Sequence, residues 1–240
     1  MKSELTRKRV WELDAFRGFC LLCMFIDHSL NIFKYFGGFD IVRIPFFWFI
    51  KHYFGALFVV ISGICVYFSH SSFRRGLIVF ACGMSLTAAT YWLYLSGRED
   101  DIVLIRWGVL HMIGFCMIVY PVFKKLPDRI KLLLGAAIVI AGYYLALNVR
   151  VHNPWLFPLG LKTIHFRDWD IFAILPHLGW FLIGNALGSV LYHKTPKTLL
   201  PSVNTDLLPI RFFCWLGRNS LVFYMIHLPV LYCLAKCFHV

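Results

Sequence analysis

Charge is what this chain has least of. Only 15% of its 240 residues are Asp, Glu, Lys or Arg, against 60% hydrophobic and 18% aromatic. Soluble domains carry about 25% charged residues, so a soluble globular fold is excluded. The mean hydropathy of +0.70 places the chain among polytopic membrane proteins. Acidic residues are scarcest, 12 against 24 Lys and Arg, for a net charge of +12. A nucleic-acid partner is nevertheless not expected, because the basic residues fall mainly in short segments between apolar runs, where positive-inside topology puts them. No polar stretch is long enough for a second, soluble domain, so residues 1–240 read as one transmembrane domain. Internal repeats are missing, which argues against a transporter assembled from two related halves. The first apolar run is long, has no small-residue cleavage site and is followed by more, so no cleavable signal peptide is expected. The eight cysteines lie mostly inside apolar runs and read as small buried residues. Cys20 and Cys23 share a helix face, but no second pair matches their spacing, and no metal is expected.

The apolar runs themselves set the fold class. The length allows about seven spans of roughly 20 residues: about 13–33, 46–68, 76–95, 102–123, 132–147, 171–191 and 212–236. The expected fold is all-α, a polytopic membrane protein of about seven transmembrane helices. The N-terminal tail (Lys2, Arg7, Lys8, Arg9) and the connections after spans 2, 4 and 6 are basic, while SGREDD after span 3 is acidic. Loops therefore alternate in charge, which puts the N-terminus in the cytoplasm and the C-terminus outside. Arg43, Lys51, Arg150, Lys162 and Arg167 dilute that asymmetry on the outer side. The expected location is integral to a membrane, the bacterial inner (plasma) membrane. Gly184 and Gly188 form a small-residue face suited to helix packing or to a homodimer.

Ionisable residues in such spans point to function. The first span, ELDAFRGFCLLCMFIDHSLNIF, carries Asp14 and Arg17 near its inner end and Asp27 and His28 further along. At 1.5 Å per residue, His28 and His227 each lie about fifteen residues from an inner end. His111 falls a little over half-way up, and His177 about seven residues below an outer end. Four spans thus bring histidines to one level, at or just above mid-membrane, as a shared polar cavity requires. Arg17 and Asp14 suit a helix start with an arginine reaching the inner headgroups. Equally, the eleven residues from Arg17 to His28 span about 16–17 Å, comparable to the pantetheine arm of coenzyme A. Arginine binds phosphate well, and a histidine half a membrane away can act as general base. Asp27 could polarise a histidine, although adjacent helix residues do not face each other.

These residues carry a resemblance. ELDAFRGFCLLCMFIDH resembles the opening helix of transmembrane acyltransferases related to heparan-alpha-glucosaminide N-acetyltransferase. It is also similar to the wider acyltransferase-three superfamily, whose signature is an Arg and a His with ten residues between them, as in Arg17 and His28. FVVISGICV, GVLHMIGF, DIFAILPHLGWFLIGNALG and WLGRNSLVFYMIHLPVL follow in order, covering nearly the whole chain. The resemblance implies a membrane enzyme that takes an acetyl or short acyl group from cytosolic acyl-CoA. The acceptor it implies lies outside the cytoplasm, a sugar, amino sugar or other small molecule. It implies His28 as catalytic, and Asp27 joins it as a catalytic candidate from its place beside His28. On the acyl-CoA side it implies Arg17, Ser62 and Arg74, with Asp14 beside Arg17 and Arg218 in the closing motif as further candidates. Towards the acceptor the candidates are Asp170, His177 and His227 in the matching motifs and His111 at the shared histidine level. Expected partners are acetyl-CoA, the carbohydrate or other acceptor, membrane lipid and a second copy of the chain.

Two other readings stay open. Histidine pairs on different spans could ligate a b-type haem for electron transfer, and a transporter without acyl chemistry would need the same apolar scaffold. In the long connection 148–170, Trp155, Trp169, His152, His165 and Asp168 suit either sugar binding or an interfacial aromatic belt.

Overall fold

The computed structural model describes residues 10–37, 45–161, 170–192 and 197–238. Trp169, His165 and Asp168 of the long connection lie outside these, as do the basic N-terminal tail, Arg43, Lys162 and Arg167. The described chain is all-α, with eight α-helices: α1 (Trp11–Gly37), α2 (Pro45–Tyr67), α3 (Ser72–Leu95), α4 (Val109–Phe123), α5 (Asp128–Asn148), α6 (Ile174–Tyr192), α7 (Leu208–Arg218) and α8 (Ser220–Phe238).

Local chemistry sets the helix ends. Pro45 opens α2 and Pro209 sits in the first turn of α7, where a missing N–H costs nothing. Gly97, at φ 68°, takes the left-handed conformation just beyond α3. Pro127 separates α4 from α5. Leu175 (φ −96°, ψ 121°) leaves helical geometry because Pro176 follows it.

Among the described residues, five segments are long and apolar enough to cross a membrane: Trp11–Ile32, Ser72–Leu95, Asp128–Asn148, Ile174–Tyr192 and Ser220–Cys237. Two shorter apolar helices, Tyr53–Tyr67 and Val109–Phe123, accompany them. Large apolar side chains point outward, such as Leu133 (73% exposed) and Leu147 (78%) on α5, as lipid contact requires. The protein is an integral membrane protein.

Two features differ from the sequence expectation. The run 212–236 is not one span. It breaks at Asn219, whose φ of −103° and ψ of 18° end α7, leaving α7 as an amphipathic segment before α8. The fourth apolar helix starts late, at Val109, because Leu104 and Gly108 are extended and Trp107 between them pairs with Ile171.

The chain divides into two compact units, Met1–Phe58 with Gly188–Val240, and Val59–Leu187. In the first, α1 crosses α7 at backbone contact. A Cβ on Gly18 would collide with the Phe213 carbonyl oxygen, and one on Gly217 with that of Asp14. In the second, Gly184 abuts the Val60 carbonyl, so that part of the small-residue face packs against α2 of the same chain.

Candidate active site

In the first unit, α1 and α8 bring two histidines together. His28 Nδ1 lies 2.8 Å from His227 Nε2, and the rings stack with centroids 5.0 Å apart. Both side chains are buried. His227 Nδ1 lies 2.7 Å from the Tyr224 carbonyl oxygen. A carbonyl only accepts, so His227 Nδ1–H is the donor there. In a neutral ring its Nε2 then carries the lone pair, and His28 Nδ1–H donates to it. His28 Nε2 is left as a proton acceptor, with no hydrogen-bond partner among the described residues. The chain Tyr224 C=O, His227, His28 thus fixes the tautomer of His28 by the same logic that orients a catalytic imidazole elsewhere. Because the two rings hydrogen-bond each other directly, no macrocycle fits between them, and they do not form a bis-histidine haem site.

Asp27 accepts from Asn31 Nδ2 at 3.0 Å, one turn along α1. Towards the other end of α1, Asp14 is buried and holds two arginines. Arg17 donates to its Oδ1 at 2.9 Å and Arg218 Nε to its Oδ2 at 3.3 Å. Arg17 Nε also reaches the Gly217 carbonyl at 2.9 Å. Arg17, Asp14 and Arg218 form one cluster with a net positive charge. Cys214 lies beside it on α7. Burial raises its thiol pKa, Arg218 opposes this, and Asp14 and Glu12 add to it.

The second unit holds the remaining candidates. His111 is 1% exposed and both its nitrogens are engaged. Gly108 N–H donates to Nδ1 at 3.2 Å, and Nε2 lies 3.1 Å from Thr87 Oγ1. The Thr87 hydroxyl gives its hydrogen to the Ile105 carbonyl at 2.7 Å, so His111 Nε2–H is the donor to Thr87. His111 therefore secures the start of α4. The carboxylate of Asp170 lies beside Gly108, where a Cβ would come within 2.9 Å of its Oδ2. Such a position favours an acid at a helix N-terminus. His177 donates from Nδ1 to the Ala173 carbonyl at 2.7 Å, which leaves its Nε2 as an acceptor. Ser62 is half-buried on α2 and Arg74 is exposed on the first turn of α3. Trp155, 80% exposed, and exposed His152 stand at the surface.

One buried network escapes sequence reasoning. Lys131, 4% exposed, donates to Asp128 at 3.2 Å and to Asn185 Oδ1 at 3.1 Å, and Asn185 Nδ2 donates to the Gly63 carbonyl at 3.3 Å. The available signal is a lysine one turn inside an apolar helix and an asparagine in mid-span. KKLPDRIK reads instead as a basic connection.

No curated protein and no solved structure matches the chain. A family model does: heparan-alpha-glucosaminide N-acetyltransferase, catalytic, over residues 9–229. That match spans α1 through most of α8 and includes the His28–His227 pair and the Asp14 cluster, so the chain belongs to the heparan-alpha-glucosaminide N-acetyltransferase catalytic family.

Proposed function

We propose that this protein transfers an acetyl or short acyl group from cytosolic acyl-CoA to an amine or hydroxyl on the opposite side of the membrane, on a sugar, an amino sugar or another small acceptor, with His28 as general base. The observation that carries this reading is the oriented His28, whose Nδ1–H is held by His227 so that Nε2 is presented as the acceptor. Family membership supports the class of reaction.

The acceptor nucleophile attacks the thioester carbonyl carbon as its proton passes to His28 Nε2. The new C–N or C–O bond forms, the C–S bond breaks, and the proton returns to the departing CoA thiolate. General-base assistance of this kind contributes about 10²–10⁴-fold. Asp14 keeps Arg17 and Arg218 together, and two guanidinium groups suit the phosphates of the donor. The axial rise from Arg17 to His28, about 16–17 Å for eleven residues, matches the pantetheine arm between them. Ser62 and Arg74 are assigned to the donor side by resemblance to the superfamily. His177, with Nε2 open, is the better acceptor-side candidate, since the nitrogens of His111 are both spent.

The test is transfer of radiolabel from acetyl-CoA by membranes holding the protein. His28→Ala should abolish transfer while the protein still extracts as a monodisperse species; full retained activity overturns the assignment.

A further inference from the structure

At the inner end of α1, a pocket of about 730 Å³ opens between the start of that helix and α7. Its volume is in the range of small-molecule sites. Three aromatic residues line it, Trp11, Phe212 and Trp215, together with Arg211, Arg218 and Asp206. Arg211, Phe212, Trp215 and Arg218 follow the helical repeat and so share one face of α7. Arg211 is exposed and makes no ion pair among the described residues, and Arg218 is tied to Asp14 through Nε alone.

We infer that this pocket holds the nucleotide end of the acyl donor, a purine nucleoside bearing a 3′-phosphate and a diphosphate. The inference rests on the acyl-CoA reading above and deepens it. Three features select that ligand. Aromatic side chains stack on a purine face. Two arginines about 10 Å apart along the axis, seven residues at 1.5 Å each, meet two separate phosphate groups. Arg218, gathered with Arg17 by Asp14, faces the diphosphate, and Arg211 takes the 3′-phosphate. Asp206, whose backbone N–H is fixed by Asn204 at 2.9 Å, brings a carboxylate that accepts from ribose hydroxyls or the purine amine. A carboxylate also disfavours the anionic lipid headgroup that two arginines alone would suit. The reach agrees as well. From Trp11 to His28 is seventeen residues of helix, about 25 Å, the length of an extended coenzyme A from base to thioester.

The experiment uses the full chain in nanodiscs, with adenosine 3′,5′-bisphosphate as the probe, in neutral and in anionic lipid. The bisphosphate should bind the wild type and compete with acetyl-CoA. Arg211→Gln and Trp215→Leu should each raise the KM for acetyl-CoA by about ten- to hundred-fold, the loss of one charge-assisted or stacking contact, with little change in kcat. That penalty should disappear with acetyl-pantetheine, a donor lacking the nucleotide. Bisphosphate binding that the variants do not weaken, or a penalty that persists on acetyl-pantetheine, overturns the pocket. So does a bisphosphate affinity lost wholly on moving to anionic lipid, since headgroups then own the arginines. Failure of the acyl-transfer reading looks different: the bisphosphate binds and the variants weaken it, yet no acyl group moves from acetyl-CoA.

Discussion

At the scale of single residues, the pair of imidazoles decides what His28 can do. A histidine with both nitrogens bonded to the protein cannot accept a proton from a substrate, and that describes His111. His28 spends only Nδ1–H, which His227 Nε2 accepts, and keeps Nε2 open. In the proposed reaction His227 is then a positioning residue: it touches His28 and need not touch the acyl group. His227→Ala should lower kcat about 10²-fold while leaving the KM for acetyl-CoA nearly unchanged, since it removes orientation without removing donor contacts. His227→Gln, whose amide oxygen can accept from His28 Nδ1–H, should recover much of that loss. Steady-state kinetics on the two variants checks this, and equal loss in both would assign His227 a merely structural place. The sequence placed both histidines at one depth and no more, because a ring's hydrogen-bond partners are carbonyls and side chains several residues or several helices away. The same reason hid Lys131 and Asn185, which lie 54 residues apart and make sense only as a pair.

At the scale of elements, the crossing of α1 and α7 is the joint on which the Arg cluster depends. Asp14 and Arg17 come from α1 and Arg218 from α7, and they meet because Gly18 and Gly217 let the two backbones touch. Adding one methyl group there cannot be absorbed by a flexible neighbour, since the obstructing atoms are backbone: Phe213 O, and Gly217 N at 2.9 Å. Gly18→Ala should destabilise this joint by about 1–3 kcal/mol, the usual cost of overpacking, and should weaken acetyl-CoA binding in parallel. A lower thermal midpoint together with a raised KM is the expected outcome; an unshifted midpoint would mean the crossing relaxes freely. Sequence periodicity reads 212–236 as one span because apolar residues continue on both sides of Asn219. The clue to the break is the polar cluster Gly217–Arg218–Asn219–Ser220, a helix ending followed by a helix start. Helix α1 was legible as about 13–33 against the observed Trp11–Gly37, because its apolar length and its charged ends are both local properties.

At the scale of the whole molecule, the proposed base His28 and Arg17, both on α1, serve trans-membrane transfer only if that helix crosses. Among the described residues, five long apolar helices and two shorter ones are available; were all seven to cross, the odd number would put the two termini on opposite sides. Helix α7 is too short to cross at 11 residues. With Arg211 and Arg218 exposed on it, it suits the inner membrane surface, where positive-inside topology places cations. Alkaline phosphatase, which needs its disulfides and so an oxidising compartment, reports the side directly when fused at successive loops. Fusions after Asp100, after Asn153 and at Val240 should be active, and those after Lys125, Lys197 and Asn219 inactive. The fusion after Asn219 is the discriminating one. If α7 lies on the inner surface it matches the fusion after Lys197, whereas activity there would make α7 part of a crossing and move Arg211 and Arg218 away from the cytosolic donor.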